Sequence, residues 1–270
     1  MAANDIVLLD SLITKARDRL ASAIDDSELF ELFSFEQVLK SYEPTVDELE
    51  SGWTDGGNDG GIDGFFIYVD QRAATPDASD YALRRNPSLD VHIISARRAA
   101  SFEQQPVDSL ISSLSEVFDL RLEIEQLSYP YNEWVLQQRS LLKDVFVSLA
   151  DRQPILNITI SYCSRGDLNQ LAPNIQARAL VLERTIKQLF SNANISVLFM
   201  GAAELLTLSR KTYDFTIRLP FTENPISREG KSFITLCKLR DYFKAISDDL
   251  GALRLIYLNR MCAISLETFR

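Results

Sequence analysis

The chain is poor in cysteine, in histidine and in long apolar runs, and each shortage removes a class of protein. Its three cysteines, Cys163, Cys237 and Cys262, are odd in number and share no Cys-x-x-Cys spacing. Isolated buried thiols are therefore expected, not a disulfide framework or a zinc site. No uncharged stretch reaches membrane-spanning length, and Asp5 and Asp10 interrupt the basic-then-apolar start that a signal peptide needs. The expectation is a cytoplasmic protein with no membrane partner. Basic side chains are also scarce, 28 against 38 acidic ones, for a formal net charge of -10. The first 60 residues hold 14 acids against only Lys15, Arg17, Arg19 and Lys40, and the remainder balances. A nucleic-acid-binding protein usually carries a basic face, so tight binding of duplex DNA by this chain alone is not expected.

What is present is a globular chain. With 46% hydrophobic residues over 270 positions it can bury a core of one large domain or two abutting ones. Periodicity predicts an N-terminal helix over residues 3–23 with Ile6, Leu9, Ile13, Ala16 and Leu20 on its apolar stripe. A second helix follows, capped by Ser27, in which Leu29, Leu32, Phe33, Glu36 and Leu39 share one face. Residues 45–51 read as a short acidic helical turn, 107–126 as a long helix, and a further helix runs to about Ala150 after the Tyr129-Pro130-Tyr131-Asn132 break. The second half starts with a strand over 154–162, a helix over 173–190 and a strand over 195–200, a β-α-β order that favours parallel pairing. A helix over 202–210 and strands at 213–219 and 233–236 extend that sheet system. The division expected is 1–23 as an N-terminal helix, 24–150 as a first domain and 151–270 as a second α/β region.

The densest signal is Asp55-Gly56-Gly57-Asn58-Asp59-Gly60-Gly61-Ile62-Asp63-Gly64, which runs directly into the apolar strand Phe65–Val69. Glycines let a backbone turn sharply and approach a ligand closely, and Asp63 sits at the root of a rigid element, as a metal-binding acid does. Asp55 and Asp59 read as turn formers, and Asp63 could itself do no more than cap a turn. Glu36 on an apolar stripe needs a partner, for which a cation is one candidate. The strand over 89–97 places Val91, Ile93, Ser95 and Arg97 on one face and the only histidine, His92, on the other. Ser95 thus has no imidazole to make it a nucleophile, and His92 reads as a core or interface residue. Arg84-Arg85 reads as a solvated loop pair, and Ser161–Asp167 as either a strand-to-helix loop or the wall of a ligand cleft.

A helix carboxylate, a glycine-framed Asp at a strand and a strand ending in a polar-x-cation pair together resemble the PD-(D/E)XK nuclease superfamily. Phe35-Glu36, Gly57–Gly64 and Ile93–Arg97 with Ser101-Phe102 are similar to the N-terminal part of the abortive phage infection (AIPR) family of bacteria. The resemblance implies a restriction-endonuclease-like mixed sheet flanked by helices and followed by a second α/β part. Carried over, Glu36 matches the helix acid, Asp63 the central acid, Ser95 the Glu or Gln of the third motif and Arg97 its lysine. Glu36 and Asp63 would then hold Mg²⁺ or Mn²⁺ for attack on a phosphodiester of a nucleic-acid substrate. Serine is too short to replace the usual ligand, and Arg97, with its very high pKa, is a poor proton carrier. The alternative is an inactive nuclease fold kept as a protein or nucleic-acid interaction module, with a homodimer or a protein partner expected. A direct pair of Arg97 with Asp63 or Glu36 would favour that alternative. Leu253–Arg260 resembles the approach to the family's next block before the likeness fails, which implies a truncated or split relative.

Overall fold

Strand-forming runs at residues 64–69 and 88–97 alternate between two apolar faces, and burial on both sides sets the layer order of the molecule. The computed structural model describes residues 4–20, 24–54, 56–75 and 85–211, and beyond these 216–218, 220, 222, 226–228, 232–234, 236–246 and 263–265. The chain divides into two compact units, Met1–Lys211 and Thr212–Arg270.

The first unit is α/β. Its helices are α1 (Asp5–Leu20), α2 (Asp26–Val38), α3 (Val46–Ser51), α4 (Gln104–Val117), α5 (Glu133–Ser148), α6 (Pro173–Leu189) and α7 (Ala202–Arg210). Its strands are β1 (Gly64–Val69), β2 (Arg72–Ala73), β3 (Ser88–Arg97), β4 (Ile155–Ser164) and β5 (Asn194–Met200), arranged β2-β1-β3-β4-β5. β1 runs antiparallel to β2 and β3, whereas β3, β4 and β5 are mutually parallel, so the sheet is mixed. β4, α6 and β5 form the crossover unit read from the sequence. One core lies between the sheet and the α4–α6 side, built on Phe65, Ile67, Val91, Ile93, Leu110, Leu114, Ile158, Ile160 and Leu182. The other packs Phe66, Tyr68, Ile94 and Ala96 against Leu9, Ile13, Leu29, Phe33, Phe35 and Leu205 from the helices on the opposite face. Each such fully buried side chain contributes about 1.5–3 kcal/mol relative to exposure.

Several boundaries differ from the sequence reading. Asp25, not Ser27, caps α2: its carboxylate accepts from the Ser27 and Glu28 N–H groups, and Glu28 reaches back to the Asp25 N–H in a reciprocal box. The long helix expected over 107–126 ends at Val117. There Arg139 of α5, only 2% exposed, donates through one guanidinium nitrogen to the Asp119 and Leu122 carbonyls and holds the chain in a turn. The sequence boundary at 150/151 falls inside the first unit, because β4 pairs with β3 along its length.

In the second unit, β6 (Thr216–Arg218) pairs parallel with β9 (Ala263–Ser265), and β7 (Ile226–Arg228) pairs antiparallel with β8 (Ser232–Ile234). Of the strands expected at 213–219 and 233–236, the described residues Thr216–Arg218 and Phe233–Ile234 lie in two-stranded sheets, not in the five-stranded one. α8 (Leu239–Ile246) completes the described elements. Leu253–Leu258, Asp55 and Arg84 lie outside the described residues.

The glycine loop owes its composition to a helix. Gly60 and Gly61 have φ of 70° and 83°, and α4 presses on both. A Cβ on Gly60 would meet Ser113 Oγ at 2.5 Å and Tyr131 Cε1 at 2.8 Å, and one on Gly61 would meet Ser109 Cβ at 3.0 Å. Ser113 Oγ donates to the Gly60 carbonyl, the Asp59 carboxylate accepts from the Gly61 N–H, and the Asn132 N–H donates to the Asn58 carbonyl. The loop thus clasps α4 and the start of α5 onto β1. Gly60→Ala should cost about 2 kcal/mol from the left-handed backbone alone, with crowding added. Gly57→Ala, with open space around its Cβ position, should cost under about 1 kcal/mol by urea unfolding.

Candidate functional site

Asp63 ends the glycine loop one residue before β1. Its own N–H donates to the Ile94 carbonyl at 3.0 Å, which fixes the residue against β3 and carries its side chain over the Ser95-Ala96 peptide. The carboxylate is fully buried. Oδ2 accepts from the Ala96 N–H at 2.6 Å and from Ser95 Oγ at 3.2 Å. An Arg97 guanidinium nitrogen stands 3.4 Å from Oδ1, an ion pair longer than a charge-assisted hydrogen bond of about 2.7–2.9 Å. The Arg97 side chain is 41% exposed, so it connects the buried acid with solvent. A buried carboxylate needs strong compensation, and here a backbone donor, a hydroxyl and a cation from one strand end provide it.

Glu36 has other partners. Its two oxygens accept from the two terminal nitrogens of Arg19 on α1, and Gln37 Nε2 donates to one of them at 2.9 Å. Of the four residues singled out in the sequence, Asp63, Ser95 and Arg97 thus form one bonded group, and Glu36 belongs to a clamp between α1 and α2. His92 is buried on the opposite sheet face, near Asp90 and in edge contact with Tyr42 and Tyr68. Ser161–Ser164 end β4 and 165–167 form the loop after it: Ser164 Oγ donates to the Ala99 and Ser101 carbonyls and accepts from the Gly166 N–H.

Arg97 also faces a cleft of about 540 Å³, within the size range of small-ligand sites. The glycine loop supplies one wall through Asp59, Gly60 and Gly61, and α4 another through Asp108, Ser109, Ser112, Ser113 and Glu116. Tyr129 and Tyr131 close it, ring centroids 5.0 Å apart and edge to face. Burial raises the Tyr131 hydroxyl to about 12, a hydrogen bond with the Ser113 side chain opposing the rise and the Glu116 charge adding to it. Asp108 is held below the usual carboxylate range by hydrogen bonds from Gln104 and Arg178 and by the Arg178 charge. The sequence reading passed over this wall. The Tyr-Pro-Tyr-Asn segment was legible only as a break, and the polar face of Ser109, Ser112, Ser113 and Glu116 looks like that of any amphipathic helix.

A hard divalent cation takes about six oxygens at short range, several of them from water, and of the bonded group Asp63 brings the one carboxylate. Ser95 donates its hydroxyl hydrogen to Asp63, the Ile94 carbonyl accepts from the Asp63 N–H, and a guanidinium stands beside Oδ1. Among the described residues no group of three or more His, Cys, Asp or Glu side chains could hold a metal ion. No described helix is long and apolar enough to cross a membrane. No protein-family model, curated protein or solved structure matches this chain.

Proposed function

We propose that this chain is a phage-defence protein of the abortive-infection type, built on a PD-(D/E)XK-like domain, and that it acts by binding a protein partner or a second copy of itself instead of cutting phosphodiesters. The observation that carries this reading is the pairing of Asp63 with Arg97. Its Oδ2 accepts from the Ala96 N–H and the Ser95 hydroxyl, Oδ1 stands 3.4 Å from an Arg97 guanidinium nitrogen, and the arginine provides the positive charge that a cation would otherwise bring. A guanidinium does not give up its proton near neutral pH, so Arg97 can neutralise charge but cannot relay a proton to or from an attacking water. The mixed sheet flanked by helices, with the acid at one strand root and the Ser-x-Arg pair on its neighbour, supports the fold part of the proposal.

Calorimetric titration with MgCl₂ and MnCl₂, beside cleavage assays on plasmid, single-stranded DNA and RNA, tests it. No saturable metal binding and no cleavage above the Asp63→Ala level are expected. Ser95→Gln with Arg97→Lys, which restores the family pattern, measures how far the site stands from chemistry. Metal-dependent cleavage by the natural chain that disappears in Asp63→Ala would overturn the proposal in favour of an active, degenerate nuclease.

A further inference from the structure

Resting on the interaction reading above, we infer that the cleft beside Arg97 receives an arginine or lysine side chain from a basic segment of a partner protein. Its wall carries Asp59, Asp108 and Glu116 against Arg97, and Arg97 is engaged with Asp63. Asp108 has its own cation in Arg178. Among the described residues Glu116 has none: its oxygens accept from the Ser128 N–H at 3.3 Å and the Tyr131 hydroxyl at 3.3 Å, both neutral. The cleft charge therefore includes a Glu116 carboxylate bonded to one of the two lining tyrosines. Tyr129, 43% exposed, meets Tyr131 in a T-shaped pair, and both rings line the cleft with Glu116. A carboxylate among aromatic rings is the chemistry that selects a guanidinium or ammonium, by charge and by attraction to the ring quadrupole. A nucleic-acid phosphate would meet three acids there, and the one cation on the wall is shared with a buried aspartate. The volume suits a side chain or two, not a duplex.

The test titrates nitrogen-labelled full chain with hexa-arginine at about 0.15 M salt, where screening confines charge effects to roughly 8 Å, and follows backbone resonances. Shifts concentrated at Gly60, Gly61 and Ser112 are expected. Glu116→Gln and Tyr129→Ala should each weaken binding about tenfold, and Asp151→Asn, at the other end of the sheet, should leave it unchanged. Tyr129 is exposed, so its variant keeps the test valid if Glu116→Gln folds poorly. Shifts scattered over the acidic surface, equal affinities across all variants, or no binding would overturn the inference. So would an oligothymidylate that occupies the cleft and binds more tightly to Glu116→Gln. None of these outcomes touches the inert Asp63 site, which stands or falls on the metal and cleavage measurements.

Discussion

Asp63→Ala should lower the unfolding free energy by about 4 kcal/mol, by the same amount with and without Mg²⁺. The carboxylate has no solvent exposure. Its removal strands the Ala96 N–H, 2.6 Å away, and the Ser95 hydroxyl in the interior. Each buried donor left unpaired costs about 1–3 kcal/mol. Breaking a buried ion pair costs roughly 3–5 kcal/mol, a figure discounted here because Arg97 is partly exposed and can turn toward water. Asp63→Asn keeps the volume and an oxygen for the Ala96 N–H, so it should cost about 2 kcal/mol less. Urea unfolding of the three proteins, with and without millimolar Mg²⁺, checks both statements. A variant as stable as the natural chain in buffer, with a natural chain that gains stability on adding Mg²⁺, would instead make Asp63 a strained metal ligand.

How much of this was legible beforehand depended on the range of the interaction. Alternation along β1 and β3 gave their faces, because burial on both sides of a sheet leaves a period-two record. The same alternation put Ser95 and Arg97 on one side and His92 on the other. The parallel pairing of β4 and β5 followed from the helix between them. Glu36 was different. Its position on α2 was readable, yet its partner Arg19 lies on another helix 17 residues earlier, and only the docking of α1 on α2 makes them meet. The glycine loop has a cause of the same kind: Gly60 and Gly61 give way to Ser113, Tyr131 and Ser109, a close approach by protein that the sequence alone does not show. α4 was extended too far because its periodicity continues past Val117, and the opposing signal is a buried arginine on α5 bonded to carbonyls.

The pH dependence of folding isolates the buried face on the far side of the sheet. Burial pushes His92 down from 6.5 to about 4, although the nearby Asp90 charge pulls the other way. Its Nδ1 has no hydrogen-bond partner, and Tyr42 and Tyr68 contact the ring edge to face. Tyr42 is raised by burial and by Asp90, so it stays neutral throughout the acid range. In the unfolded chain His92 takes a proton below about 6.5, and in the folded chain it refuses one until about 4. The stabilisation is therefore complete above pH 6.5 and is lost progressively as pH falls toward 4. A lowering of this size corresponds to about 3 kcal/mol. His92→Phe keeps a ring between the two tyrosines and removes the titration. It should match the natural chain at pH 7.5 to within about 1 kcal/mol and exceed it by about 3 kcal/mol near pH 4, the carboxylates contributing equally to both. Urea unfolding at a series of pH values reads the difference directly, and parallel curves for the two proteins would mean that the imidazole has access to water.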